Sequence, residues 1–145
     1  VEEEILPTCT KLGIGFVPYS PLGRCFLTGS FDKTTEFEEG DFRAGLPRFL
    51  PDNIEQNTGS VQVLRRMALR KDMTPAQLAL AWVLSKGEHI VPIPGTRRIK
   101  YLEENIRSAD LKLTQEEVSE LEGTLDTIEI HGQRYTEEGM KGVSA

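Results

Sequence analysis

The run Ile90-Val91-Pro92-Ile93-Pro94 stops at Gly95, and Thr96-Arg97-Arg98-Ile99-Lys100-Tyr101-Leu102-Glu103-Glu104-Asn105 follows at once. A short apolar run bounded by turn residues reads as a buried strand. Ile99, Leu102 and Ile106 then recur at helical spacing. Strand, tight turn and helix in that order confine the chain to an α/β architecture. The first N–H groups of such a helix point out of the strand's carboxyl end. With the guanidinium groups of Arg97 and Arg98 they suit an anion, most naturally a phosphate. Gly-Thr-Arg-Arg has neither P-loop nor GxGxxG spacing. On this stretch alone, a turn with idle, solvated arginines stays equally open.

The rest of the chain repeats the alternation. Ile5, Leu6, Cys9 and Leu12 mark a helix stopped at Gly13, with Pro7 tolerable in its first turn. Ile14-Gly15-Phe16-Val17-Pro18-Tyr19 predicts a short strand with both faces covered by helices. Positions 24–60 show no sustained periodicity and predict a long loop, and a loop of that length is functional or disordered. Arg43 and Arg48 lie inside it, and solvation is their plainer reading. Val61, Leu64, Met67 and Ala68 mark the next helix. Thr74-Pro75-Ala76-Gln77 and Thr114-Gln115-Glu116-Glu117 are capping boxes that open two more. Leu78, Ala81, Trp82 and Ser85 share a face of the first, where Trp82 reads as core. Val118, Leu121 and Leu125 point inward from the second. The tail from Ile130 is polar and Gly-rich, so its order depends on packing elsewhere.

Composition narrows the function. Lys and Arg number 17 against 23 Asp and Glu, a net charge of −6, which argues against nucleic acid as the main partner. No apolar run approaches the roughly 20 residues of a membrane span. The chain opens Val1-Glu2-Glu3-Glu4, without a signal peptide or an initiator Met, and so reads as processed or truncated. Cys9 and Cys25 lack metal-ligand spacing and read as reduced thiols of a cytoplasmic protein. No metal site is expected.

The two runs would pair in parallel, with their carboxyl ends on one side. Tyr19-Ser20-Pro21-Leu22-Gly23-Arg24 and Gly95-Thr96-Arg97-Arg98 would then face one cleft. An aromatic ring, a hydroxyl, free amides and several arginines suit a dinucleotide. At these residues the chain resembles a known family. Tyr19-Ser20-Pro21-Leu22-Gly23, then Leu27-Thr28-Gly29, is similar to the strand-seven loop of the aldo-keto reductases. Pro92-Ile93-Pro94-Gly95-Thr96, then Leu102-Glu103-Glu104-Asn105, is similar to their strand-eight cofactor segment. The wording most resembles the plant-type branch, which includes perakine reductase and the auxin-induced members.

The resemblance implies a (β/α)8 TIM barrel that reduces carbonyls with NADPH and no metal. A complete barrel takes ~250 residues. Positions 1–145 would form one partial barrel domain holding the last two strands and their helices. Its 24–60 loop would cover the cofactor site, and 130–145 would be the tail. By resemblance, Tyr19 lies against the nicotinamide, and Ser20, Pro21, Leu22, Gly23 and Arg24 follow the pyrophosphate. Arg43 reaches over the cofactor. Gly95, Thr96, Arg97 and Arg98 surround the adenosine 2′-phosphate, and Tyr101, Glu104 and Asn105 hold the adenine end. Two departures stand out: Tyr101 replaces a frequent Arg or Gln, and Cys25 a common Gly. The family's catalytic Asp, Tyr, Lys and His belong to earlier strands, so no catalytic residue is expected here. His89 and His131 read as structural or solvent-facing. A carbonyl compound is the implied substrate of the complete enzyme. Other partners would be the missing amino-terminal half or a second copy. A non-catalytic module, similar to the channel β subunits built on the same barrel, is the alternative, and a ligand-free α/β domain is the plainest one.

Overall fold

The structure, a computed structural model, describes residues 1–143. Helix α1 covers Ile5–Leu12 and ends where Gly13, at φ 66°, donates to the Cys9 and Thr10 carbonyls. That left-handed cap is the stop expected of a glycine. Helix α2 covers Pro51–Arg70, α3 Pro75–Ser85, α4 Ile99–Arg107, α5 Gln115–Leu125 and α6 Glu137–Met140. Both capping boxes form as read: Thr74 with Gln77 opens α3, and Thr114 with Glu117 opens α5. None of the described helices is long and apolar enough to cross a membrane.

The expected strands are a correction. Among the described residues there is one isolated parallel bridge, Phe16 with Ile90, and no longer ladder. Phe16 donates to the His89 carbonyl at 2.8 Å, and Val91 donates to the Phe16 carbonyl at 2.9 Å. Parallel order holds, but the two runs have no third neighbour to extend the pairing. Their faces are not both covered either: Ile14, Val17, Val91 and Ile93 are exposed, whereas Ile90 is buried.

The long loop is the second correction. Pro51 opens a helix ten residues before Val61, and 3-10 turns at Phe26–Thr28, Phe42–Gly45 and Pro47–Phe49 order what precedes it. The first turns of α2 escape a periodicity reading because their buried face is partly polar, with Ile54 alongside Asn57 and Ser60. Asn57 supplies Nδ2 to the His131 carbonyl and accepts the His131 N–H, both at 2.8 Å. The Ser60 hydroxyl bonds the Asn57 carbonyl at 2.8 Å. Burial of these groups is tolerated because each is hydrogen-bonded.

Two clusters form the core. Val63, Leu64, Met67, Ala68, Leu78 and Leu121 join α2, α3 and α5. Full burial of an aliphatic side chain of this kind contributes roughly 1.5–3 kcal/mol. Trp82 packs beside this cluster, and its indole N–H donates to Glu122 at 2.8 Å. Lys86 also binds Glu122, so one carboxylate ties α5 to α3. The second cluster, Leu46, Phe49 and Ile54, gathers Phe26, Phe31, Phe37 and Tyr135 around it. Phe49 meets Phe26, Phe31 and Phe37 edge to face, with centroids 5.5–5.9 Å apart. These rings fold the 24–60 segment onto α2 and give the tail a seat for Tyr135.

Candidate functional site

The loop after the first half of the bridge is locally strained. Ser20, Arg24 and Cys25 take φ values of 49°, 57° and 72°, and Gly23 takes 56°. A non-glycine residue in the left-handed region costs roughly 1–2 kcal/mol. Successive turns close the loop: Gly23 donates to the Ser20 carbonyl at 2.8 Å, and Leu27 to the Leu22 carbonyl at 3.2 Å. Cys25 therefore holds the left-handed conformation that a glycine would hold more easily.

Arg43 is pinned over this loop. Asp41 accepts from its backbone N–H and Nε, each at 3.0 Å, and from Nη2 at 2.5 Å. Those bonds hold the Asp41 carboxyl at about 2. The Arg43 guanidinium lies 5.2 Å from the Phe31 ring centroid and 5.4 Å from that of Phe37. Its Nη1 donates to the Arg24 carbonyl at 3.5 Å. Charge balance, stacking and a backbone bond together fix the fork against the Tyr19 loop.

At the other tip, the Thr96 hydroxyl accepts the Arg98 N–H at 3.2 Å, and Arg98 occupies the N-cap position of α4 without a side-chain capping bond. Arg97 and Arg98 are exposed, with no carboxylate within ion-pair distance among the described residues. The Arg98 guanidinium lies 5.9 Å from the centroid of Tyr101. Glu104 is held from α3: Thr74 donates its hydroxyl to Oε1 at 2.7 Å, and Gln77 Nε2 donates to the Glu104 carbonyl at 3.2 Å. The second oxygen, Oε2, receives no bond from either residue.

Two adjoining cavities, about 740 and 610 Å³, meet at Leu22, Cys25 and Gly95. The larger is bordered by Thr96, Arg97, Arg98, Tyr101, Glu104 and Asn105, with Thr74 on the α3 side. The smaller is bordered by Tyr19, Ser20, Pro21, Arg24 and Arg43. Thus Tyr19 and Arg98 open onto one groove. Of the sequence-chosen residues, Gly23 alone lines neither part and faces a third cavity beside the tail. Arg97 and Arg98 border the larger part together with one carboxylate, that of Glu104. Among the described residues there is no cluster of metal-ligating side chains.

Tyr19 is half-exposed and bound to the tail. Its oxygen accepts from the Tyr135 hydroxyl at 2.9 Å and from Arg134 Nη1 at 3.3 Å. The Tyr135 bond, and then that of Arg134, push the Tyr19 pKa below its ordinary value, while Tyr135 is raised because it is the donor. Neither histidine lines the groove: His89 Nε2 lies 3.4 Å from the Thr10 hydroxyl, and the His131 backbone is bonded to Asn57. Sequence reasoning did not single out Asp41, Arg134 or Tyr135. Asp41 carried a signal in its two-residue spacing to Arg43. Arg134 and Tyr135 carried none, since only folding brings the tail to Tyr19.

With the geometry in place, the chain's relatives become informative. The chain is 42% identical over 131 residues to the aldo-keto reductase yakc [NADP(+)] of Schizosaccharomyces pombe, covering 90% of this chain and 38% of that protein. It is 42% identical over 135 residues to the aldo-keto reductase str7 of Strobilurus tenacellus, covering 93% and 40%. Both relatives are fungal, and the chain spans about two fifths of the length of each. Among solved structures it resembles the glycerol dehydrogenase AKR11B4 of Gluconobacter oxydans, with a TM-score of 0.80 and 24% identity over 91% of this chain and 40% of the other. It also resembles the thermostable aldo-keto reductase Tm1743, with a TM-score of 0.55 and 27% identity over 83% and 33%. The model of the Aldo/keto reductase family matches residues 1–126, and the chain belongs to that family.

Proposed function

We propose that the chain is the cofactor-holding, carboxy-terminal portion of an NADPH-dependent aldo-keto reductase that reduces aldehydes and ketones to alcohols. The observation that carries this reading is the groove with Tyr19 at one end and the unpaired Arg97 and Arg98 at the other. In it, Arg97, Arg98, Gly95 and Thr96 hold the 2′-phosphate. Ser20, Pro21, Leu22 and Arg24 follow the pyrophosphate, with Arg43 above. Tyr101, Glu104 and Asn105 hold the adenine, and the Glu104 Oε2 can accept its exocyclic amine. Tyr19 lies against the nicotinamide. The bound cofactor supplies hydride; this chain's residues bind and orient it. The partial barrel, the plant-type branch suggested by the motif wording, and a cytoplasmic site for the free thiols belong to the same proposal.

Titration with NADPH and NADH, followed by nicotinamide fluorescence, tests it. NADPH is expected to bind at least tenfold more tightly, and Arg98→Ala to remove most of that preference, as loss of a charge-assisted fork to phosphate implies. Equal affinity for the two cofactors would sink the 2′-phosphate assignment. The chain alone is expected not to turn over a reactive aldehyde with NADPH, because the catalytic Asp, Tyr, Lys and His of the family are assigned to other strands. Turnover above a buffer blank would refute that part.

One observation favours a second reading, a non-catalytic NADPH-binding or protein-interaction module similar to the channel β subunits. Ile99, Leu102 and Ile106 are exposed along α4, as are Ile14, Val17, Val91 and Ile93 along the bridged runs. Apolar surface of this kind suits association, either with an amino-terminal barrel half or with a second copy. Sedimentation of the chain, alone and with a separately produced amino-terminal half, distinguishes the two.

A further inference from the structure

The third cavity, of about 250 Å³, lies between the Tyr19 loop, α2 and the tail. It shares Tyr19, Ser20, Pro21 and Arg24 with the nearer part of the groove and no residue with the part that holds Arg97 and Arg98. Three arginines from distant parts of the chain line it: Arg24, Arg48 and Arg134. Arg48 is partly buried and spends Nε on the Gly132 carbonyl at 3.2 Å. Arg134 reaches Tyr19, and the Arg24 guanidinium stands 4.6 Å from the Tyr135 ring centroid. None of the three has a carboxylate partner within 4.0 Å among the described residues. Burial, then the charges of Arg134 and Arg24, lower the Arg48 pKa, so the three cations sense one another.

The placement is built rather than incidental. Gly132, at φ 82°, brings the tail so close to the turn before α2 that an added Cβ would sit 2.8 Å from the Pro47 carbonyl carbon and 2.9 Å from the Arg48 nitrogen. The buried polar groups at the cavity, Asn57 and Ser60, are already bonded within the protein. Phe26, Phe49 and Ile130 supply apolar wall. Like charges gathered beside an apolar wall, with no carboxylate partner among the described residues, are stabilised by an anion whose remaining surface is apolar.

We propose that this cavity binds a small carboxylate with an apolar body, at a site beside the dinucleotide groove. Arg48 and Arg134 grip the carboxylate, and Phe26 and Phe49 cover the body. Calorimetric titration of the whole chain with benzoate tests this, with inorganic phosphate and benzyl alcohol as comparison ligands. Saturable benzoate binding is expected, with phosphate at least tenfold weaker and benzyl alcohol not saturating. Arg48→Gln and Arg134→Gln should each weaken benzoate roughly tenfold or more, the range for losing a hydrogen bond to a charged group. Arg134 is exposed, so its variant decides the matter if Arg48→Gln fails to fold. Benzoate and NADPH should bind the parent chain together. Absence of saturable benzoate binding, phosphate binding as tight as benzoate, insensitivity to Arg134→Gln, or displacement of benzoate by NADPH would each overturn the proposal. A chain that binds benzoate but not NADPH would overturn the cofactor reading alone.

Discussion

The Thr74 hydroxyl donates to a Glu104 carboxylate oxygen at 2.7 Å while it accepts the Gln77 N–H at 3.2 Å. One side chain thus caps α3 and orients an acid on α4 at the groove wall. The capping box was readable as a helix start, but its second duty depends on α4 lying alongside.

Thr74→Ala is therefore expected to act twice. Loss of the cap should lower stability by about 1 kcal/mol. Release of Glu104 should weaken NADPH several-fold, while Thr74→Ser restores both. Urea unfolding and cofactor titration measure the two effects. A stability loss with unchanged affinity would show that Glu104 does not touch the adenine.

The Asp41–Arg43 pair has a defined pH window. Asp41 titrates at about 2 in the folded chain, against an ordinary 3.8. A depressed carboxylate pKa contributes stability fully above the unfolded value and loses it as pH falls through the folded value. The stability difference between the parent and Asp41→Asn should therefore be constant above about pH 5 and shrink toward about pH 2. Unfolding curves across that interval check it; a difference independent of pH would contradict the pairing.

Tyr135→Phe removes the strongest influence on Tyr19. The Tyr19 titration should move up toward its ordinary value of 10.0, since the donor that favours its phenolate is gone. Ultraviolet absorbance titration reads this with only Tyr19 and Tyr101 remaining. An unmoved Tyr19 midpoint would mean that the tail does not reach the loop in solution.

Cys25→Gly should stabilise the chain by up to about 1 kcal/mol, because φ 72° suits glycine while added unfolded-state freedom offsets part of the gain. Thermal unfolding tests the sign. A destabilised variant would show that the Cys25 side chain contributes packing that outweighs its backbone strain.

Much of the helical framework was legible. Thr74 and Thr114 cap where their boxes stand, Gly13 stops α1, and Val61, Leu64, Met67 and Ala68 are all buried. The two tips that resemble family motifs line adjoining cavities that share Leu22, Cys25 and Gly95. The apolar runs gave parallel order at one bridge, Phe16 with Ile90, but no strand formed among the described residues, because a ladder needs neighbours as well as suitable residues. Pro51 at the first position of α2 was a readable start, masked by the polar stretch that follows.

Capping, glycine stops and apolar periodicity act within a few residues, so the amino-acid order alone determines them. The Asn57–His131 bond spans 74 positions and the Tyr135–Tyr19 bond spans 116. No local pattern encodes such a pairing. The tertiary structure alone decides that two polar residues of α2 are buried, that the tail seats Tyr19, and that Arg24, Arg48 and Arg134 share a cavity. Each of these depends on surfaces that meet only once the helices have packed.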